Sequence, residues 1–196
     1  MPISLLIVLL AGVGLTQTGN AANSARAQKT AVSPYTNGDL GFSYMPPSGL
    51  RDLTDAAKAN DAVNRHDGEV QFKPLILMSS GPDDQAPDWV TVGITTFPRG
   101  RDKDKGDDVT AGFITNRSVG AGVLGGGVTT KREVVKITGR DFSVSYVEKK
   151  APPLTKYAIV YTLVRKEKFL TFFFSGNNRD TVHRLAKSMD TLKFRP

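Results

Sequence analysis

Residues 157–194 read YAIVYTLVRKEKFLTFFFSGNNRDTVHRLAKSMDTLKF, and this stretch decides the fold. Tyr157 to Val164 is apolar on both faces, which predicts a central strand that is covered on two sides. Arg165 to Lys168 supplies a turn, and Phe169 to Phe174 returns as the next strand. The stretch therefore predicts an antiparallel hairpin in the middle of a sheet.

The segment after this hairpin predicts a helix that packs on the sheet. Asn177 or Asn178 is a suitable N-cap, because its side-chain oxygen can accept a hydrogen bond from the first helical turn. The apolar residues of the segment share one helix face at spacings of i, i+3, i+4 and i+7, and they are Val182, Leu185, Ala186 and Met189. Leu192 and Phe194 are expected to form a short last strand.

The chain before this stretch predicts further strands and two earlier helices. Apolar runs and alternating patterns predict strands over residues 40–45, 72–78, 89–97, 131–138 and 142–146. The strand over residues 72–78 contains Pro74, which belongs near the beginning of a strand or on an edge. Helices are predicted over residues 54–65, with Thr54 as the N-cap, and from Asp107 or Asp108 to before Gly120. This order of elements indicates an α+β fold in a single domain over residues 35–196.

The N-terminal residues have the features of an export signal. Ile3 to Leu10 is an apolar run, shorter than the roughly 20 residues that a membrane-spanning helix needs. Ala25-Arg26-Ala27 offers a small-x-small cleavage site before Gln28. We therefore predict a cleaved signal peptide over residues 1–27, a disordered lead-in over residues 28–34, and a periplasmic or secreted mature chain without a transmembrane helix. An uncleaved N-terminal anchor is the alternative, because Met1-Pro2 contains no Lys or Arg.

The composition indicates in which compartment the protein works and what kind of partner it binds. The chain has no cysteine and hence no disulfide, which favours a bacterial periplasmic or cell-surface domain. The net charge of +7 is uneven, since residues 28–130 carry −3 and residues 131–196 carry +9. A basic half can indicate an anionic partner, such as lipid head groups or wall polymers; cations that only solvate strand edges and block aggregation are the alternative. A nucleic-acid partner is not expected, because no aromatic-plus-basic recognition motif accompanies the charge.

Three motifs resemble known sites, and the first two depart from the known pattern. Gly120–Gly125 matches G-x-G-x-x-G, but a helix is predicted before it and a strand after it, the reverse of a dinucleotide site. Asp102–Asp108 resembles a calcium loop, although Asp107 and Phe113 stand where an EF-hand needs Gly and Glu. Asn116-Arg117-Ser118 is a glycosylation sequon, relevant only if the source glycosylates exported proteins.

No catalytic or metal constellation is predicted. His66 and His183 are distant in the sequence and no cysteine accompanies them, which argues against zinc. A Ser-His-Asp triad can assemble from any spacing, but the Gly-x-Ser-x-Gly elbow is absent and Ser79-Ser80-Gly81 is interpreted as a strand-ending turn. The acidic residues of the next loop are expected to solvate it, and they are Asp83, Asp84 and Asp88. Aromatic residues at strand spacing are expected in the core rather than in a ligand groove, namely Trp89, Phe169, Phe172, Phe173 and Phe174.

Two regions resemble a known family. Residues 35–46, YTNGDLGFSYMP, resemble the opening of PsbP-like domains, and residues 172–194 are similar to the closing strand, helix and Ser-x-x-x-Leu-x-Phe ending of that family. The resemblance implies an α/β/α sandwich with a central, mainly antiparallel sheet flanked by helices. It also implies a largely non-enzymatic superfamily, which includes a photosystem II extrinsic subunit and an import factor that binds a small GTPase. The proline pair Pro46-Pro47 and the glycine loop over residues 120–127 depart from the pattern, and no binding residue carries over.

These observations favour an exported, non-catalytic binding or assembly module of the bacterial cell envelope. A cell-envelope hydrolase is the alternative, and a domain anchored on anionic lipid or wall polymer through its basic half is a third hypothesis. The partner is expected to be a protein or an anionic envelope surface, and no cofactor is predicted. The candidate contacts to an anionic surface lie at predicted strand ends and turns, where antiparallel pairing could gather them at one pole, and they are Lys149, Lys150, Arg165, Lys166 and Lys168.

Overall fold

The computed structural model describes residues 33–59, 73–80, 90–98, 128–166 and 168–195. In these ranges the strands are β1 (Tyr35–Asn37), β2 (Phe42–Tyr44), β3 (Arg51–Asp52), β4 (Lys73–Ser79), β5 (Val90–Pro98), β6 (Val128–Ile137), β7 (Arg140–Ala151), β8 (Leu154–Arg165), β9 (Lys168–Gly176) and β10 (Lys193–Phe194). The described helices are α1 (Thr54–Ala59), α2 (Arg179–Ala186) and a 3₁₀ helix over Lys187–Thr191. The described part is α+β, with mostly antiparallel sheet and few helices.

The strands form two antiparallel sheets. The larger one has the order β3-β4-β5-β9-β8-β7-β6, and the smaller one has the order β1-β2-β10. The large sheet joins two meanders, β3–β5 and β6–β9, where β5 pairs with β9. The predicted hairpin is confirmed and is longer than expected, because β8 and β9 pair from Tyr157 opposite Gly176 to Arg165 opposite Lys168.

The first face of the large sheet carries the main core. Phe172 of β9 is fully buried, and its ring lies 5.9 Å from Phe42, 5.6 Å from Tyr44 and 6.3 Å from Phe142, measured between centroids. Because Phe42 and Tyr44 belong to β2, these contacts hold the small sheet against the large one. The interpretation of the C-terminal aromatics as core residues is confirmed for Phe169, Phe172 and Phe174, which are fully buried, whereas Phe173 is half-buried.

The closing helix packs on the large sheet, as predicted, and it lies on the face that carries the main core. Asn178 is the N-cap, and its side chain accepts a hydrogen bond from the Thr181 backbone N–H at 3.0 Å. The apolar stripe contacts the main core, with Val182, Ala186 and Met189 buried and Leu185 half-buried. The α-helix ends at Ala186 and continues as the 3₁₀ helix, so Met189 reaches the core from a different helical form than expected.

A chain of hydroxyl groups fixes the closing segment to the small sheet. The Ser188 hydroxyl donates to the Leu185 carbonyl at 2.6 Å, which leaves its oxygen to accept from the Tyr44 hydroxyl at 2.6 Å. Thr191 also accepts from the Met45 backbone N–H at 3.0 Å. Burial raises the pKa of Tyr44 to about 12, against the smaller opposite effect of its hydrogen bond to Ser188.

The second face of the large sheet is also buried along β7–β9. Val147, Ala158 and Val160 form a separate apolar cluster with Phe173 packed against it. The prediction of one buried face for residues 142–146 is therefore wrong at Ser145, which is 0% exposed on the second face. The reason is that Ser145 lies opposite Val160 of β8, which is buried in the second-face cluster, so a polar side chain here does not indicate exposure.

Several predicted boundaries move by one or two residues. The predicted N-cap Thr54 is the first residue of α1; Asp52 accepts from the Thr54 backbone N–H at 2.8 Å, while the Thr54 hydroxyl accepts from the Leu77 N–H at 3.0 Å. The turn predicted at Gly139-Arg140 is formed by Thr138 and Gly139, with φ of 46° and 76°. Both positive angles suit a two-residue hairpin turn, so Arg140 becomes the first residue of β7.

Other predictions lie outside the described residues. These are the signal peptide over residues 1–27, most of the lead-in over residues 28–34, the end of the first helix, the second helix, the calcium-like and glycine-rich motifs, the sequon, His66, Gly81, Trp89, and the carboxylates Asp83, Asp84 and Asp88.

Candidate functional site

The structure divides the predicted cationic residues between two ends of the large sheet. Lys149 and Lys150 lie at the end of β7, beside the turn at Pro152-Pro153. Arg165, Lys166 and Lys168 lie at the turn between β8 and β9. The 12 residues of β8 separate the two groups by roughly 40 Å at the usual rise per strand residue. These residues therefore do not form one surface, contrary to the expected gathering at a single pole.

Arg165 and Lys166 bind the turn between β1 and β2. The Arg165 Nε donates to the Leu40 carbonyl at 2.9 Å, and its Nη2 donates to the Arg195 carbonyl at 3.3 Å. The Lys166 ammonium donates to the Asp39 carbonyl at 2.5 Å. These turn cations therefore connect the two sheets.

Gly41 allows the β1–β2 turn to approach Arg165 this closely. Its φ is +64°, and a Cβ at this position would lie 3.0 Å from the Arg165 Nη2. The Arg195 backbone N–H donates to the Gly41 carbonyl at 2.8 Å, so β10 is attached to the same turn. A side chain at residue 41 would be strained by the backbone angle and would crowd the guanidinium.

Two arginines lie over the ring of Phe194. The Cζ of Arg140 is 5.0 Å from the ring centroid, and the Cζ of Arg165 is 5.3 Å from it. Below them the ring lies 6.4 Å from Phe42 and 6.4 Å from Phe142, between centroids. The guanidinium groups thus rest on an aromatic surface that is continuous with the main core, which favours cation–π attraction.

We call this region the hairpin end and define it as Arg140, Arg165, Lys166, Lys168 and Arg195. Within the ranges that the structure describes, none of the five forms an ion pair, whereas the nearby Lys136 pairs with Asp141 at 2.9 Å. Partial desolvation and the charge of Arg140 lower the pKa of Arg165. The sequence also places Glu167 in this turn, at a position outside the described residues. The hairpin end is thus a cluster of like charges that forms no ion pair with a described carboxylate, although Asp39 and Asp141 lie near it.

The opposite end of the sheet carries a mixed network rather than a purely cationic one. The Tyr146 hydroxyl donates to Glu133 at 2.6 Å, and the Lys131 ammonium pairs with the other oxygen of that carboxylate at 2.6 Å. The bonds from Lys131 and then Tyr146 lower the pKa of Glu133, while burial and the hydrogen bond to Glu133 raise the pKa of Tyr146. Each charge of this network therefore has its partner within the protein.

A small pocket borders this network. His183 stacks on the Tyr146 ring with 5.9 Å between centroids, and the two line a pocket of about 20 Å³ together with Arg179, Glu148 and Tyr157. That volume is of the order that one water molecule occupies, whereas small-molecule sites usually measure about 300–1,000 Å³. The pocket thus offers His183 a polar setting without space for a substrate of ordinary size.

The described residues contain neither a metal-binding cluster nor a helix of the membrane-spanning type. In those ranges, no cluster of three or more His, Asp or Glu side chains could hold a metal ion. Among the same residues, no helix combines the length and the apolar character that crossing a membrane requires. Ser79 ends β4 and Ser80 follows in a bend, as the interpretation of this segment as a strand end predicts.

Sequence reasoning missed the contributions of Arg140 and Phe194 to the hairpin end. Arg140 was assigned to a turn, and a shift of one residue places it on the first face of β7 instead, beside Arg165. Phe194 was expected in a last strand, but nothing local indicates that the strand ends beneath two arginines. The signal available in the sequence was Gly139. A two-residue hairpin turn requires positive φ at both of its residues, which favours glycine as the second of them and makes Arg140 the first residue of the next strand.

Comparisons with known proteins give structural neighbours alone. No protein-family model matches the chain, and no curated protein matches its sequence significantly. Among solved structures, the chain is similar to cyanobacterial PsbP (CyanoP) from Synechocystis sp. PCC 6803, with 14% identity and a TM-score of 0.53 over 93% of this chain and 100% of that one.

Two further solved structures are more distant. LpqN of Mycobacterium tuberculosis, which is involved in cell envelope biogenesis, shows 12% identity and a TM-score of 0.49 over 85% of this chain and 91% of that one. The Ran-binding protein Mog1p of Saccharomyces cerevisiae shows 11% identity and a TM-score of 0.44 over 84% of this chain and 95% of that one. The family resemblance read from the two ends of the sequence is therefore confirmed at the level of the fold: the chain has the PsbP-like fold.

Proposed function

We propose that this chain is an exported, non-catalytic binding or assembly module of the bacterial cell envelope, which uses the hairpin end to contact an anionic surface. In this proposal residues 1–27 are a cleaved signal peptide, and residues 35–196 form one PsbP-like α/β/α domain with helices on both faces of the sheet.

The observation that carries the proposal is the unpaired charge of the hairpin end. Five cations from three strands, one turn and the C-terminal segment lie together, and the described residues give them no acidic partner. A purely solubilising charge is usually interspersed with the opposite sign, as it is at the Lys131–Glu133 end of the sheet. Like charges that are held together repel one another, and an anionic partner removes that cost.

The proposal is tested by sedimentation with lipid vesicles. The protein should bind vesicles that contain phosphatidylglycerol and should not bind vesicles of phosphatidylcholine alone. Binding should weaken steeply with salt, because the screening length falls from about 10 Å at 0.1 M to about 3 Å at 1 M. Equal binding to both vesicles, or no binding at low salt, would refute this surface as the functional one.

Export is tested separately by N-terminal sequencing of protein recovered from its host. The sequence should begin at Gln28 or within a few residues of it. A soluble cytoplasmic chain that keeps Met1 would refute the envelope location and leave the vesicle result to be explained in another compartment. The envelope hydrolase remains the alternative prediction.

A further inference from the structure

The guanidinium groups of Arg140 and Arg165 share one aromatic support. Their Cζ atoms lie 5.0 and 5.3 Å from the centroid of the same Phe194 ring. Antiparallel pairing of β7 with β8 and of β8 with β9 also brings Arg140, Arg165 and Lys168 to the same end and the same face of the sheet. Because both Cζ atoms lie so near one centroid, the two permanently charged groups are at most about 10 Å apart and repel each other, and neither forms an ion pair with a described carboxylate.

Arg165 is held in place before any ligand arrives. Its Nε and Nη2 donate to the carbonyls of Leu40 and Arg195, while no hydrogen bond to a described residue engages its Nη1. The side chain has therefore already lost most of its rotamer freedom, which lowers the entropic cost of binding. Its remaining N–H groups are available to an acceptor.

The guanidinium group of Arg140 is held less firmly than that of Arg165. It stacks on Phe194, and its guanidinium has no hydrogen bond or ion pair to any residue that the structure describes. A planar guanidinium presents N–H donors in a fork that matches the oxygens of a phosphate or carboxylate group. An oxyanion between the two arginines would accept hydrogen bonds from both and would neutralise their repulsion.

We infer that Arg140 and Arg165, supported by the Phe194 ring, form a binding site for one phosphate-type oxyanion, with Lys166 and Lys168 adding charge around it. This inference rests on the proposed function, because it names the chemical group through which the hairpin end contacts an envelope surface. A lipid headgroup and a free phosphate ester share this chemistry, so the two sources are tested with separate probes.

The first arm titrates ¹⁵N-labelled protein with inorganic phosphate at constant ionic strength and follows the arginine Nε–H resonances. The resonances of Arg140 and Arg165 should shift with saturation, while that of Arg179, at the other end of the sheet, should not. Arg140→Gln should lower the phosphate affinity measured at the Arg165 resonance by about tenfold, which corresponds to the loss of one hydrogen bond between charged groups.

The second arm compares the same variants on vesicles that contain phosphatidylglycerol. Arg140→Gln should weaken binding by about tenfold, whereas the matched control Lys149→Gln loses the same charge at the far end and should weaken it less than twofold. Arg140→Lys keeps the charge without the planar fork, so its loss of vesicle binding should lie between those of Arg140→Gln and Lys149→Gln. Backbone amide spectra of each variant establish that the fold is retained.

The outcomes separate the site from the proposed function. Losses in both arms support the site with a lipid headgroup as its ligand. A phosphate response without vesicle binding supports the site with a soluble phosphate ester and refutes the surface role. Vesicle binding that Arg140→Gln and Lys149→Gln weaken equally, without a phosphate response at Arg165, overturns the site and leaves the surface role standing. No response in either arm overturns both.

Discussion

Arg165→Gln should destabilise the domain, although Arg165 lies in a turn at the end of a hairpin. Sequence reasoning treats such a residue as an exposed charge whose removal has little effect on folding. In the structure its guanidinium donates to the carbonyls of Leu40 and Arg195 and lies over the Phe194 ring. Its loss therefore loosens the attachment of the small sheet to the large one.

The expected loss in free energy of unfolding follows from the contacts that Arg165 makes. The bond from Nε to Leu40 is 2.9 Å and partly buried, so it should contribute about 1.5 kcal/mol or more as a hydrogen bond from a charged group. The bond to Arg195 is longer and exposed, and the stack on Phe194 should contribute about 0.5–1 kcal/mol. Removing the repulsion from Arg140 returns part of this loss, which leaves a net cost of about 2 kcal/mol.

The assay is urea unfolding at neutral pH, with Lys168→Gln as the matched control. Lys168 lies opposite Arg165 in the β8–β9 pair and carries the same charge, and its side-chain ammonium makes no hydrogen bond or ion pair with the described residues. The control should therefore cost less than about 0.5 kcal/mol, as surface substitutions usually do. If the two variants lose the same free energy of unfolding, the connection between the sheets through Arg165 is not a significant one.

Two further predictions concern the core. Burial raises the pKa of Tyr44 to about 12, so the neutral phenol is favoured in the folded state. This contribution to stability is complete below about pH 10 and is lost as the pH rises through about 12, with a total of about 3 kcal/mol. Tyr44→Phe should therefore lose less stability than wild type between pH 9 and about pH 12 in urea unfolding, and a parallel decline would contradict this assignment. Leu192→Ala should cost about 3 kcal/mol because Leu192 is 0% exposed, and Leu185→Ala should cost less because Leu185 is half-buried; the reverse order in the same assay would mean that the closing segment packs differently.

Local patterns predicted the C-terminal half of the fold well. The hairpin β8–β9, the cap at Asn178 and the apolar stripe of α2 depend on neighbours within a few residues, and the structure confirms each of them. The amphipathic pattern places Leu185 in the stripe but does not distinguish the centre of the stripe from its flank, and the structure shows Leu185 half-buried. Val182 and Ala186 occupy the centre.

The features that shape the candidate site depend on distant residues and could not be predicted. Arg165 donates to a carbonyl 125 residues earlier in the chain, and nothing in a turn sequence indicates that partner. The sequence also predicted that β2 and the last strand exist, but not that they pair with each other in a second sheet. The cationic residues were likewise expected at one pole of the sheet, because the sequence does not show which strand ends meet. The length of β8 places them at two opposite ends instead.

The pairing of β2 with β10 also determines when the domain can finish folding. Ser43 lies opposite Lys193, so the two halves of this ladder are 150 residues apart in the order of synthesis. A chain emerging from the ribosome thus exposes Phe42 and Tyr44 with β1 as their strand partner on one side alone until β10 has been made. Contacts of such long sequence separation form slowly, because the loop between them must close first. The small sheet should therefore close last, after the local hairpins of β6–β9 have formed.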